Sequence, residues 1–297
     1  MSSKKKILLF FFIFLLLNIP IYYLMFTQPP SMRIPLIICI MWSPGISAIL
    51  TKLIIDHNLR DMGWGWGKWR YQLLSYFLPA VLALLVYSIV WASGIGELSI
   101  SHFVKIGNKK FFSPDSGVTF IPILLMSMSL GFLKAFTTAF GEEIGWRGFL
   151  VKEFSNVTSY TKGAWIIGLV WSVWHIPGIL FVGYNAGTNP FFAVPCFMVM
   201  IISATFIMNW IRLRSGSLWT GAIFHAGHNL FIQSIYDLMT VDKEITKYFT
   251  TEFGIGMAAI YAVIAYFFWR NRSKLQEQNG KYLNHFSRRR TTLQTEV

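Results

Sequence analysis

Behind the triplet Lys4–Lys6, residues 7–26 read ILLFFFIFLLLNIPIYYLMF, an uncharged run of twenty residues. At about 1.5 Å per residue a helix of that length crosses a hydrocarbon core of about 30 Å. Charges followed by an apolar run also open secretory leaders, but this run is long and no small-x-small cleavage site follows it, so it is read as a retained first span. Working outward, the same template matches 34–55, 72–93, 117–151, 163–183, 191–211, 218–239 and 251–270. The expected fold is all-α, a polytopic membrane protein of about eight transmembrane helices. With 54% hydrophobic and 13% charged residues and a mean hydropathy of +0.51, a water-soluble globule is excluded.

The formal charge is +13. Nineteen of the 26 Lys and Arg residues fall in alternate loops on one side: Lys4–Lys6, the stretch 52–70, the stretch 147–162, Arg212, Arg214 and the tail from Arg270. The positive-inside rule then puts both termini in the cytoplasm, and an even number of spans agrees. The excess charge marks topology, with some attraction to anionic lipid, and no nucleic-acid surface is expected. Trp64, Trp66 and Trp69 beside Lys68 and Arg70 have the composition of an interfacial belt. The polar tail, ending in Ser287-Arg288-Arg289-Arg290, is expected on or near anionic lipid. Cys39 and Cys196 both lie in apolar runs and imply no disulfide framework. No internal repeat or phosphate-binding loop stands out.

Ionisable groups inside a bilayer are costly and usually face a cavity or a partner. Those read within spans are Lys134, Glu142, Glu143, Arg147, His175, His225, His228 and Asp237, with Asn229 beside them. Glu143 and Arg147 stand at i,i+4 with the acid first, the favourable order for a helical ion pair. Glu142, rotated about 100° away, has no such partner in its own helix and is left for chemistry; the alternative is that both acids cap a helix end. A poorly hydrated carboxylate suits a general base. His175 precedes Ile176-Pro177-Gly178, which should loosen the helix and free carbonyls; alone it could equally be a histidine bonded to a neighbouring helix. His225 and Asn229 share a face, and His228 shares it only in part, supporting the site from behind or belonging to the core. Lys134 is expected to snorkel toward the outer face.

Depths along ideal helices, taken from Lys152, Lys162 and Ser217, are roughly 15 Å for Glu142, 20 Å for His175 and 12 Å for His225. Three helices thus offer a carboxylate and two imidazoles below one face of the membrane, and cleavage near the cytoplasmic face is expected.

These residues resemble the signature of the CPBP intramembrane proteases, also called the Abi or CAAX-protease family, which includes the Rce1-type prenyl-protein endoproteases. The E-E-x-x-x-R motif is met by Glu142, Glu143 and Arg147; F-x-x-x-H is met at His175 with Trp171 in place of Phe; H-x-x-x-N is met by His225 and Asn229. The resemblance covers about residues 120–235 and divides the chain into three N-terminal spans (1–116), a CPBP core (117–240) and a last span with a basic tail (241–297). It implies peptide-bond hydrolysis in the membrane, with Glu142 and His175 activating water, Glu143 orienting or neutralised by Arg147, and His225 with Asn229 stabilising the oxyanion. No metal is expected to be obligatory, although Glu142, His175 and His225 offer the mixed donors of a catalytic Zn2+.

The reading favoured is an endopeptidase of a membrane-associated or lipidated peptide or protein, in a bacterial cell membrane. A non-enzymatic bacteriocin-immunity or scaffold protein is the alternative. A transporter with a midplane ion site is disfavoured because the polar residues cluster toward one face.

Overall fold

The computed structural model describes residues 2–275. The basic tail beyond them, including the 287–290 cluster, lies outside the described residues. The chain is a helical bundle: α1 (Ser3–Thr27), α2 (Arg33–Asp56), α3 (Trp69–Ala92), the short amphipathic α4 (Ile100–Phe111), a composite helix α5–α6–α7, then α8 (Tyr160–Pro177), α9 (Pro190–Ser215), α10 (Trp219–Asn229) and α11 (Ile255–Arg270). Within the composite, α5 (Phe120–Met126), α6 (Phe132–Glu143) and α7 (Val151–Ser155) are joined by π-helical turns at Ser127–Gly131 and Ile144–Leu150. Among the described residues six helices are long and apolar enough to span a membrane, as befits an integral, multi-pass protein. The two further spans expected from the sequence are also helical. The seventh runs through α10 and a π segment to Tyr236, and the eighth starts only at Ile255.

One end of the bundle is tied by polar contacts between helix termini. Lys6 Nζ meets Asp56 Oδ2 at 2.7 Å and Glu153 Oε1 at 3.8 Å, and Asp56 also binds Lys52 at 2.6 Å. Trp219 donates its indole N–H to the Trp64 carbonyl at 2.7 Å, and the Trp66 ring lies 5.1 Å from Trp69 and 6.2 Å from Trp219. The tryptophan belt therefore braces α10 as well as lying at the surface. At the opposite end, Glu97 pairs with Val241 and Leu98 with Thr240 in a two-residue antiparallel ladder, and Thr246 Oγ1 donates to the Ile95 carbonyl.

The first helix is part of the core. Phe10 and Phe14 pack on Trp146, with Phe10 stacked on Phe149 at 5.2 Å. Buried Asn18 pins α1 to two other helices: its Oδ1 accepts from Ser43 Oγ at 3.0 Å and from Trp174 Nε1 at 2.8 Å. Such an amide is worth its desolvation only when its partners are in place.

Close approach of α2 to the composite helix depends on missing side chains. A Cβ on Gly145 would lie 2.6 Å from Pro44 Cβ and 2.7 Å from the Pro44 backbone, whereas one on Gly148 would meet nothing nearer than 3.5 Å. Gly145→Ala is accordingly expected to cost about 1–3 kcal/mol by overpacking and to lower the thermal midpoint of the detergent-solubilised protein. Gly148→Ala, measured beside it, should leave that midpoint close to wild type.

Candidate active site

Each motif lies where regular α geometry gives way. The Glu142-Glu143 pair ends α6 and Arg147 lies in the π segment that follows; α8 passes into π geometry at Gly178, three residues after His175; α10 does so at Leu230, directly after Asn229. The expected loosening at Pro177-Gly178 takes this form, and Gly183 ends the segment with a left-handed φ of 81°. The extra residue in a π turn re-aims side chains within a continuous helix, and such turns recur at functional sites.

Glu143 and Arg147 are fully buried and form the i,i+4 ion pair at 2.8 Å. His225 Nδ1 approaches the same Glu143 oxygen at 3.1 Å. The Arg147 guanidinium lies 4.4 Å from the centre of the Trp171 ring, and Arg212 Nε donates to the Arg147 carbonyl at 2.9 Å. Gly221 on α10 admits this cluster, since a Cβ there would sit 2.6 Å from Glu143 Oε2.

Glu142 is also buried, but in a different setting. Its Oε2 accepts the Trp171 indole N–H at 2.7 Å and the Trp146 indole N–H at 3.4 Å. A partner therefore exists in its own helix, though as a hydrogen-bond donor and not as a counter-ion. Trp171, a conservative replacement for Phe on paper, is a polar contact that Phe could not make. Its backbone carbonyl is also the partner of His175 Nδ1 at 2.8 Å. Because a carbonyl only accepts, Nδ1 carries the proton and the neutral ring keeps its lone pair on Nε2.

Glu142, His175 and Asn229 line a single cavity of about 510 Å³. Its other walls come from the end of the bundle opposite the Lys6–Asp56 cluster: Met25, Ile37, Lys110, Lys134 and Val182 among them. The cavity thus runs from the acid away from the face that carries most of the cations. Distance to the nearest basic anchor gives a residue's depth along its helix and leaves open which way a cavity runs. Lys134, expected to reach the outer boundary, lines this cavity.

Behind His175 and Asn229 is a second, smaller chamber of about 30 Å³, lined by His225, His228 and Glu252 as well; that volume is close to one water's share of the liquid. His228 is buried, with Nδ1 2.7 Å from the Tyr261 hydroxyl and Nε2 3.7 Å from Glu252 Oε2. Glu252 accepts from Gln233 Nε2 at 3.1 Å. Glu252 is not among the acids read within spans, although the expected eighth span begins at 251. It sits in the turn before α11, buried beside His228. Asp237 lies elsewhere, hydrogen-bonded by the Tyr87 hydroxyl.

Among the described residues no three His, Cys, Asp or Glu side chains group to hold an ion. Glu142 Oε2 is engaged by two indole N–H donors and His225 Nδ1 is turned to Glu143.

Fold and site together define a multi-pass membrane protein with a buried glutamate–histidine centre at the head of an apolar cavity. A family profile, Type II CAAX prenyl endopeptidase Rce1-like, matches residues 124–231, about a third of the chain. The chain is similar to CAAX prenyl protease 2 of Methanococcus maripaludis, with 28% identity over 194 residues. That match covers 64% of this chain and 62% of the relative's length.

The buried ion pair has a stability signature. Arg147→Met strands the Glu143 charge and should cost about 3–5 kcal/mol, whereas the double variant with Glu143→Gln should recover much of it. Thermal unfolding of the two variants and wild type in detergent is the measurement.

Proposed function

We propose that the chain is an intramembrane endopeptidase that hydrolyses a peptide bond in a membrane-associated or lipidated peptide or protein. The observation carrying this reading is that Glu142, His175 and Asn229, from three separate helices, line one largely apolar cavity in a chain with an Rce1-like domain. In the reaction, water oxygen adds to the scissile carbonyl carbon as its proton passes to Glu142, with His175 Nε2 as second acceptor. Oxyanion charge is met by the Asn229 amide and by His225, whose Nδ1 donates to Glu143 and whose Nε2, when protonated, is a donor. The held proton then goes to the leaving nitrogen as the C–N bond breaks, which returns the acid to its starting state.

Glu143 and Arg147 act through His225, by fixing its ring. Glu252 and His228 bound the chamber behind it. No obligatory metal enters this scheme. We also infer that both termini are cytoplasmic, supported by the nineteen basic residues on that side, in a bacterial cell membrane, for which the compact loops are the support. The cavity would then open toward the outer leaflet.

The test is cleavage of an S-prenylated peptide by the purified protein. Glu142→Gln and His175→Ala are each expected to lower turnover by about 10²–10⁴-fold with the thermal midpoint retained; a non-enzymatic protein would give no wild-type turnover to lose. Trp171→Phe keeps the ring against Arg147 and His225 while deleting the N–H, and should lower turnover at least about tenfold, the value of a hydrogen bond to a charged group. Exhaustive chelation should leave wild-type turnover unchanged, and activity lost to a chelator and restored by zinc would overturn the metal-free scheme.

A further inference from the structure

His228 and Glu252 bound the small chamber and take no part in the hydrolytic scheme, yet both are buried, at 6% and 5% exposure. Their outer atoms are satisfied: His228 Nδ1 by the Tyr261 hydroxyl at 2.7 Å, Glu252 Oε1 by the Gln233 amide at 3.1 Å. The atoms that face each other are not joined. His228 Nε2 has no hydrogen-bond partner among the described residues, and its 3.7 Å to Glu252 Oε2 is beyond a direct hydrogen bond. Polar atoms at such a separation are commonly bridged by a water. Whichever tautomer the Tyr261 contact selects, a water fits: it donates to a bare Nε2 or accepts from a protonated one, and it has a hydrogen to give the carboxylate. The chamber, at about 30 Å³, is large enough for one water, which takes about three hydrogen bonds when buried. His228 and Glu252 supply two, and Asn229 or His225 on the same wall supplies another.

We propose that His228 and Glu252 are positioning residues that hold a water in the small chamber, and that the hydrolytic water is drawn from there, so that peptide and nucleophile reach the reacting centre from different chambers. The supply role rests on the peptidase reading above. His175, Tyr184 and Asn229 line both chambers, and His175 is the second proton acceptor of the scheme, so the held water and the reacting centre share a wall. No bond changes in the transfer: the water arrives neutral and gives up its proton at Glu142 as its oxygen adds to the carbonyl carbon. A purely structural tie between α10 and the turn before α11 would account for the burial of both side chains, but not for an Nε2 that faces a chamber in place of a partner.

The chamber carries its own reporters. Met200, Ala204 and Met208 follow at four-residue spacing on α9 and all line it, and the two methionines are each 1% exposed. Radiolysis makes hydroxyl radicals from bound water, so conversion of a buried methionine to its sulfoxide reports a water held against it. Met257, 0% exposed and lining neither chamber, is the internal control. In the full chain in detergent, Met200 or Met208 is expected to oxidise faster than Met257 and to lose that excess in Glu252→Met and in Ala204→Val, which fills the chamber from α9. With an S-prenylated fluorescent peptide the same two variants should lose at least about tenfold in kcat, the value of a hydrogen bond to a charged group, with KM nearly kept because the peptide occupies the other chamber. Glu252→Gln keeps an accepting oxygen and should hold both readouts near wild type. Oxidation of Met200 and Met208 no faster than Met257 in wild type overturns the water site. Labelling lost in Ala204→Val with kcat kept overturns the supply role, as does a fall in kcat in Glu252→Met with labelling unchanged, the mark of a structural tie. If wild type cleaves no peptide, the peptidase reading fails, and the methionine labelling alone decides whether His228 and Glu252 hold a water.

Discussion

The Glu143–Arg147 pair is the constraint around which the other helices are arranged. Two unit charges at 2.8 Å inside a low-dielectric bundle attract strongly, yet the cost of removing both from water is of the same order. The balance is met only by further contacts: His225 on the shared oxygen, the Trp171 face over the guanidinium, the Arg212 donor on the Arg147 carbonyl. Those partners come from α10, α8 and α9. A pair that neutralises itself along one helix therefore also decides which three helices must come together, and Gly221 sets how close one of them can come.

With that pair spoken for, Glu142 is a carboxylate without a cation. Two indole donors reduce the cost of its burial without neutralising it, which leaves a group able to accept a proton. The adjacent acids thus have separate environments one residue apart, because about 100° of helical rotation turns one toward α10 and the other toward α8 and the cavity. The π segments extend the same logic. Three of them, at 144–150, 178–182 and 230–236, add a residue per turn beside a motif, so that side chains from separate helices reach the site without breaking backbone hydrogen bonding in a medium that supplies no alternative partners.

Much of this was legible in the sequence. Apolar runs of bilayer length located the helices, because the constraint on them is one-dimensional, and the i,i+4 order of Glu143 and Arg147 was sufficient to pair them. Helix boundaries moved where local chemistry intervened: the turn containing Glu252 precedes the eighth helix and leaves it at sixteen residues. The direction of the cavity was not legible, since it depends on which helices splay at which end. Nor was the role of Trp171. Its hydrophobic bulk fits a membrane helix, and only the three-dimensional neighbour, Glu142, distinguishes an indole N–H from a phenyl edge. Cys39 and Cys196 are free thiols.

Two chambers meet at the site. The larger one is lined mainly by α1, α2 and the composite helix and is apolar along much of its length, with cations at its wall. The smaller is walled by His225, His228, Glu252 and Asn229 and has the volume of a single water. His175, Tyr184 and Asn229 line both and so form the boundary between the two. A water in the small chamber would find polar partners in His225, His228, Asn229 and Glu252, which compensate its transfer from bulk. His175 thus faces both chambers, and its Nδ1 bond to the Trp171 carbonyl keeps the lone pair of Nε2 available there.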